Sequence, residues 1–275
     1  MHPYRHDALP QFIGDFAARA LERDVLQWLV GGKDMSAATP VVEVITAENP
    51  LRDAARAAAD AITMADRATG AARLAVSGQL RDGFLLMLRL RLAGEEGNEW
   101  DASPGNVWPR LKLTWIDEYC VPMADVRSAR GTVARSGVLE GKYKLGYELP
   151  LFCDGEDQAS AADRVTRQFA EQFAGGLDVA VVDLDTMLTL APASAPGAVV
   201  QPVKGRDGSD ALALSAEIIA NAPLLVVVTE GRSANEALRL LRARSAQVRL
   251  RDPGAIYVVS DTMPAASAEG VPSSR

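Results

Sequence analysis

Short apolar runs alternate with helical patterns along most of this chain, and that alternation restricts the fold more than any other feature. Residues 177–182 and 224–229 are apolar almost throughout, which is typical of strands covered on both faces of a sheet. Patterns of helical length precede and follow these runs. Strands that alternate with helices in this way form mainly parallel sheets with right-handed crossovers. The sequence therefore predicts an α/β fold, a mainly parallel sheet flanked by helices in a Rossmann-like arrangement.

The length of 275 residues fits one large domain with a short appendage. Apolar residues near the N-terminus recur at helical spacing, at Phe12, Phe16, Leu21, Val25 and Leu29. We therefore expect residues 1–35 to form a helical extension that packs on the main domain or on a second copy, which would give a homodimer. Residues 36–261 are predicted to form a single α/β domain, and the small polar residues 262–275 a disordered tail.

The composition narrows the partners that this chain can have. A net charge of −7 argues against nucleic acid, because phosphate neutralisation needs clustered Lys and Arg. No apolar run reaches the roughly 20 residues of a membrane helix, and the first residues lack the apolar core of a secretory signal. The two cysteines, Cys120 and Cys153, fit a reducing compartment better than a disulfide scaffold. We expect a cytoplasmic protein that binds neither nucleic acid nor membrane.

The run LKLTWIDEYCVP at residues 111–122 is the first candidate for a functional site. Its apolar residues predict a strand that stops at two carboxylates, Asp117 and Glu118. In open α/β sheets, ligands bind beyond the carboxyl ends of the strands. An Asp-Glu pair there is suited to proton transfer or to orienting a hydroxyl group. Two solvated carboxylates that cap the following turn would give the same pattern.

Local signals add detail to the predicted element order. Asn49 and Pro50 are predicted to be the N-cap and the first position of a helix. Residues 125–139 are predicted to be helical. Residues 185–210, rich in Ala, Pro, Gly and Thr, are predicted to be mostly loop, and residues 211–220 fit a strand or a helix.

Three segments in consistent order resemble the 6-phosphogluconolactonase family and, more distantly, the glucosamine-6-phosphate deaminases. The first is AARLAVSG at residues 71–78, and the second is TWIDEYCVPMADVRS at residues 114–128. The third is LALSAEIIANAPLLVVVTEGRSANEALRLL at residues 212–241. Together they place residues 41–261 in the family's order. The resemblance implies an α/β domain of the sugar-phosphate isomerase or lactonase type.

The resemblance also implies a phosphosugar pocket at the strand ends. Ser77 and Gly78 would bind phosphate at a helix N-terminus, and Ser128 stands where the family has the serine of a Ser-Asn pair. Two departures weaken this pocket. Gln79 stands where the lactonases have a glycine, and Tyr119 stands where they have an arginine that makes a charge-assisted phosphate contact.

The largest departure follows the strand at residues 177–182. Family members continue with Gly-Met-Gly and then a segment with a histidine, which the resemblance implies to be the general base of lactone hydrolysis. Here the segment is DLDTMLTLAP, and the only two histidines of the chain are His2 and His6. Losing a general base costs about two to four orders of magnitude in rate. Asp183 and Asp185 in this segment also add negative charge beside the inferred phosphate site.

Two functions therefore stay open at this point. The preferred hypothesis is a 6-phosphogluconolactonase-like pseudoenzyme whose degenerate pocket serves binding, regulation or assembly. The alternative is an active sugar-phosphate hydrolase, isomerase or deaminase with Asp117 as the base, assisted by Glu118. Lys204, Arg206 or Arg232 would then replace the missing cationic donors. Each could instead be a solvated surface charge, and for Lys204 and Arg206 that alternative is favoured.

The expected ligand is a small phosphorylated sugar or none, and no cofactor is predicted. Asp183 and Asp185 could also be loop or helix-cap residues after a strand. A metal ion there would need further oxygen ligands that the pattern does not supply, so no metal site is predicted.

Overall fold

The computed structural model of the protein describes residues 41–93, 106–139, 144–194, 197–248 and 255–262. The predicted N-terminal extension, most of the acidic loop around residues 94–105 and the predicted tail from residue 263 lie outside these described residues. The domain boundaries and the homodimer therefore stay predictions.

The described residues form two sheets and the helices that flank them. In chain order the strands are β1 (Val41–Thr46), β2 (Ala72–Val76), β3 (Leu111–Trp115), β4 (Asp117–Tyr119), β5 (Tyr147–Leu149), β6 (Val179–Asp183), β7 (Val200–Lys204), β8 (Asp210–Leu214), β9 (Leu224–Ser233) and β10 (Ala255–Thr262). The helices are α1 (Pro50–Thr69), α2 (Arg81–Ala93), α3 (Ala129–Ser136), α4 (Gln158–Gln172), α5 (Leu184–Thr189), α6 (Ala216–Ala220) and α7 (Ala234–Val248). A 3₁₀ turn, Trp108–Arg110, leads into β3.

The larger sheet has seven strands in the order β1-β10-β9-β6-β2-β3-β5, and every neighbouring pair is parallel. The central strands β2 and β6 are buried along nearly their whole length. Such burial requires helices on both faces, which the crossovers of parallel strands supply. The predicted α/β fold with a mainly parallel sheet is confirmed.

The strand order reverses beside β2. From β2 the chain runs outward through β3 to β5, and then it returns to β6 on the other side of β2. This makes the gap beyond β2 and β6 a topological switch point, where α/β folds leave a crevice at the carboxyl ends of the strands. Any ligand site of this sheet is therefore expected beside the residues that follow these two strands.

The smaller sheet is antiparallel, with the order β4-β8-β7. Residues 185–210, predicted to be mostly loop, contain most of α5 and the whole of β7, which the prediction missed. Pro202 concealed β7, since proline has no N–H to donate and is tolerated in edge strands such as this one. The ambiguity at residues 211–220 resolves into the rest of β8 and then α6.

Capping residues set where two helices begin. The predicted N-cap is confirmed, since the Asn49 side chain accepts a hydrogen bond of 3.0 Å from the N–H of Arg52. The helix predicted from residue 125 instead begins at Ala129. Arg127 donates its N–H to the Asp125 carboxylate, which forms a turn, and Ser128 then caps α3 by accepting from the N–H of Gly131.

Gly131 allows α3 to pack directly on the loop that follows β4. A Cβ at this position would overlap the carbonyl group of Met123, which belongs to the backbone and cannot rotate away. We expect Gly131→Ala to lower the free energy of unfolding by about 2 kcal/mol or more, although alanine is the better helix former. Urea unfolding at a fixed pH measures this change.

Gly83→Ala in α2 is the matched control for that substitution. Its Cβ would make an ordinary contact of 3.4 Å with a methyl group of Leu51, so we expect no loss or a gain of up to about 1 kcal/mol. Equal effects of the two substitutions would show that the close approach at Gly131 does not matter.

Candidate active site at the switch point

The side chain of Ser77 lies at the centre of the switch point. Ser77 follows β2 and is completely buried. Its Oγ is 2.9 Å from Oδ1 of Asp117, which follows β3, and 2.7 Å from Oδ2 of Asp183, which ends β6. A hydroxyl has one proton, so Ser77 can donate to only one of these carboxyl groups at a time. The three adjacent strands thus bring two carboxyl groups to one hydroxyl.

Asp117 is partly buried in this cluster. Burial raises the pKa of Asp117 above its ordinary range, and the nearby negative charge of Asp183 raises it further. The N–H of Gly78, which donates to Oδ1 over 2.9 Å, acts in the opposite direction, as does the Ser77 hydroxyl. A raised pKa brings a carboxyl group towards the range in which it can exchange a proton near neutral pH.

Glu118 points away from this cluster, into the start of α3. Its Oε1 accepts from the N–H groups of Tyr119 and Ala129 at 3.0 Å each, and its Oε2 accepts from the N–H of Arg130 at 2.9 Å. Burial raises the pKa of Glu118 to about 7, although the three N–H donors lower it. These contacts give the side chain a part in fixing α3 to β4, and its predicted catalytic part stays a prediction.

A cavity of about 270 Å³ opens beside this cluster, and we call it the strand-end cavity. It is lined by residues at or just beyond the carboxyl-terminal parts of β2, β6 and β9 and by one residue of the loop between β7 and β8: Gln79, Leu80, Asp183, Leu184, Asp185, Arg206, Val228, Thr229, Glu230 and Arg232. The lining carries three carboxylates and two guanidinium groups. It offers both hydrogen-bond donors and acceptors to a small ligand.

The two arginines approach the cavity from different elements. Arg206 donates to Oδ1 of Asp183 over 3.3 Å and lies 3.9 Å from Oδ2 of Asp185. Arg232, the second-last residue of β9, donates to Oδ1 of Asp185 over 3.0 Å. Both side chains keep substantial solvent exposure, 59% for Arg206 and 39% for Arg232. They are the cationic groups that a ligand in this cavity could reach.

The structure brings together some of the residues that the sequence predicted for phosphosugar binding and separates others. Ser77 and Gly78 lie in the buried cluster, and Arg232 lines the cavity. Ser128 is buried as the N-cap of α3. Lys204 is an exposed residue of β7, 2.6 Å from the Asp210 carboxylate on β8, and it is not among the lining residues. The binding roles of these five residues stay predictions.

Arg206 was an open candidate in the sequence, and its position depends on the hairpin of β7 and β8. Gly205 lies against the ring of Tyr119 so closely that no side chain would fit there. Arg127 holds the far side of the same loop, donating to Ser209 over 2.9 Å and to Asp207 over 3.2 Å. Because these contacts join residues about 80 positions apart, no local sequence signal could reveal them.

The described residues support neither a metal site nor a membrane-spanning helix. No cluster of three or more His, Cys, Asp or Glu side chains there is arranged to hold a metal ion. Among the same residues, none of the helices is long and apolar enough to cross a membrane.

We expect the free energy of unfolding to rise as the pH falls from about 8 to about 6. The folded-state pKa of Glu118 is raised to about 7, so in this range the folded protein binds more protons than the unfolded chain. The contribution of Glu118 is complete below its ordinary pKa of 4.5 and is lost as the pH rises through about 7. It amounts to roughly 3 kcal/mol at most. Urea unfolding at a series of pH values measures the slope.

Glu118→Gln should flatten that slope, because glutamine does not titrate. Glu156→Gln is the matched control, since the Arg164 guanidinium lowers the pKa of Glu156 and keeps its titration out of this pH range. A wild-type stability that does not change between these pH values would contradict the raised pKa of Glu118.

Comparisons with known proteins identify the fold. No family model and no curated protein matches the sequence. The solved 6-phosphogluconolactonase from Thermotoga maritima matches with a TM-score of 0.59 and 12% identity, over 81% of this chain and 100% of that chain. A putative 6-phosphogluconolactonase from Neisseria gonorrhoeae FA 1090 matches with a TM-score of 0.55 and 19% identity, over 80% and 98% of the two chains.

A monomeric glucosamine-6-phosphate deaminase of the NagB superfamily matches with a TM-score of 0.56 and 15% identity, over 80% of this chain and 97% of that chain. Identities this low establish a shared fold and nothing finer. The resemblance that three sequence segments suggested is thus confirmed at the level of the fold. This chain has the fold of the 6-phosphogluconolactonases, which the glucosamine-6-phosphate deaminase shares.

Proposed function

We propose that this chain binds a small phosphorylated sugar in the strand-end cavity and does not hydrolyse 6-phosphogluconolactone. The observation that carries the proposal is the lining of the cavity. Two partly exposed guanidinium groups are present to recognise a phosphate, but the described lining includes no imidazole to activate water. Such a protein would act in carbohydrate metabolism as a binding or regulatory component.

The lining carboxylate closest to the buried cluster is poorly suited to replace a histidine. Oδ1 of Asp183 accepts from the N–H of Thr186 over 2.9 Å and from Arg206, and Oδ2 contacts Ser77. A general base must have a lone pair within hydrogen-bonding reach of the proton that it removes. The lone pairs of Asp183 are largely directed at groups of the protein itself.

The charge balance of the lining supports weak rather than tight binding. Asp183, Asp185 and Glu230 oppose Arg206 and Arg232, which leaves the lining slightly negative. A phosphate dianion would be repelled by the carboxylates while it is attracted by the guanidinium groups. Hydroxyl groups of a sugar can meet both signs of charge, because each hydroxyl both donates and accepts hydrogen bonds.

A second candidate function rests on Asp117. Its raised pKa and its contact with Ser77 are properties of a proton-transfer group. It would support an isomerase or deaminase reaction if a substrate reached past Ser77. Asp117 itself does not line the strand-end cavity, and for this reason binding without hydrolysis is the preferred function.

We expect the purified full chain to bind glucosamine 6-phosphate in calorimetric titrations and to turn over neither 6-phosphogluconolactone nor glucosamine 6-phosphate. Arg232→Gln should weaken binding by about tenfold or more, because it removes a charge-assisted hydrogen bond to phosphate. Arg67→Gln is the matched control, since Arg67 is exposed at the C-terminal end of α1, outside the cavity lining.

Turnover decides between the two candidate functions. Hydrolysis or deamination that falls at least a hundredfold in Asp117→Asn would favour the enzyme and overturn the preferred proposal. Absence of both binding and turnover would reject a sugar phosphate as the ligand.

A further inference from the structure

The carboxylate of Asp185 lies between the two arginines of the strand-end cavity. Arg232 donates to its Oδ1 over 3.0 Å, and Nη2 of Arg206 lies 3.9 Å from its Oδ2. Asp185 belongs to the first turn of α5, whereas Arg206 belongs to the β7–β8 loop and Arg232 to β9. Three separate elements thus converge so that one acidic side chain meets two guanidinium groups.

Two guanidinium groups that approach one oxyanion from different sides form an anion site, because each presents several N–H donors to the oxygens between them. In this chain the oxyanion is a side chain of the protein itself. We infer that Asp185 is an internal stand-in for a ligand anion, and that a phosphate monoester enters the cavity by displacing this carboxylate from Arg206 and Arg232. This inference rests on the proposed function.

Asp185 is the member of the cluster that can be displaced. Its side chain is 54% exposed, so it can turn into solvent and be hydrated there. Ion pairs this exposed contribute little to stability and are easily exchanged. In the described residues, the Asp185 side chain contacts the two arginines.

Asp183 differs from Asp185 in each of these respects. Its side chain is only 17% exposed, and it is held by Ser77, by the N–H of Thr186 and by Arg206. It therefore stays in place when an anion binds. The incoming phosphate would then share Arg206 with the fixed Asp183 and would take over Arg232 completely.

The displaced carboxylate makes Asp185 a determinant of affinity. While it occupies the arginines, an anion must compete with it, and after displacement it still carries a nearby negative charge. Replacing Asp185 with the neutral asparagine removes both effects. A neutral sugar should gain little from this change, because it carries no negative charge that the Asp185 carboxylate would repel.

The test is a set of calorimetric titrations of the full chain with inorganic phosphate, glucose 6-phosphate and glucose. We expect Asp185→Asn to bind inorganic phosphate and glucose 6-phosphate about tenfold tighter than the wild type, with no change for glucose. The double variants Asp185→Asn with Arg206→Gln and Asp185→Asn with Arg232→Gln should lose that gain. Thermal unfolding of each variant verifies that it is folded.

Asp53→Asn is the matched control. Asp53 is also in the first turn of a helix, α1, and pairs with an arginine, Arg56, over 2.7 Å, but it does not line the cavity. It changes the net charge by the same amount, so an equal gain in this variant would show a non-specific effect and would overturn the inference.

The remaining outcomes separate the inference from the proposed function. If the wild type and Asp185→Asn bind glucose 6-phosphate equally, the inference is overturned while the proposed function stands. If neither protein binds any phosphate compound, both fail. If Asp185→Asn binds more tightly and the double variants keep the gain, the arginines are not the anion site and the inference is again overturned.

Discussion

The Ser77 hydroxyl has a single proton, and this constrains how the carboxyl groups at the strand ends can be hydrogen-bonded. Asp117 and Asp183 both lie within hydrogen-bonding distance of Oγ, and only one of them can receive that proton. The other carboxyl group must be protonated or must rely on other donors. Gly78 provides one for Asp117, and Thr186 together with Arg206 provides them for Asp183. The order β3-β2-β6 imposes this arrangement, since it places the ends of the three strands side by side.

Carboxylates of the chain take up the backbone N–H groups that the strand-end turns and the following helices expose. Gly78 donates to Asp117, Ala129 and Arg130 donate to Glu118, and Thr186 donates to Asp183. Buried N–H groups are costly when they have no acceptor. In a protein that relies on a bound phosphate to accept these donors, the empty site would be less stable. Here the fold supplies its own acceptors, so the edge is satisfied without a ligand.

Sequence reasoning recovered the features that local signals encode. Apolar runs predicted the parallel strands, and Asn49 with Pro50 predicted the start of α1. The position of Asp117 just beyond β3 followed from an apolar strand that stops at a charge. The hairpin of β7 and β8 was missed, because Pro202 and the small residues around it carry a loop signal. Pairing of β7 with β8, and of β8 with the distant β4, makes the segment part of a sheet.

The contacts of Asp183 and Glu118 could not be predicted for a related reason. Asp183 and Ser77 are 106 residues apart in the chain, and the two meet only because β6 returns beside β2. Glu118 looked like a partner of Asp117 in the sequence. Neighbouring residues of a strand point to opposite faces, however, and this directs Glu118 to α3 and Asp117 to Ser77. Because they are neighbours in one strand, these two side chains point to opposite faces and lie in different environments.

Tyr119 helps to position a cation that belongs to a different element of the fold. A tyrosine at this position provides no guanidinium group, but its ring supports Gly205 and so helps to hold the hairpin that carries Arg206 to the cavity. A cation can be supplied from a different element in this way, because attraction between charges falls only gradually with distance. A general base has no such freedom, since it must lie within about 3 Å of one particular proton. The proposed function therefore needs cationic groups near the cavity but no general base at a fixed point beside it.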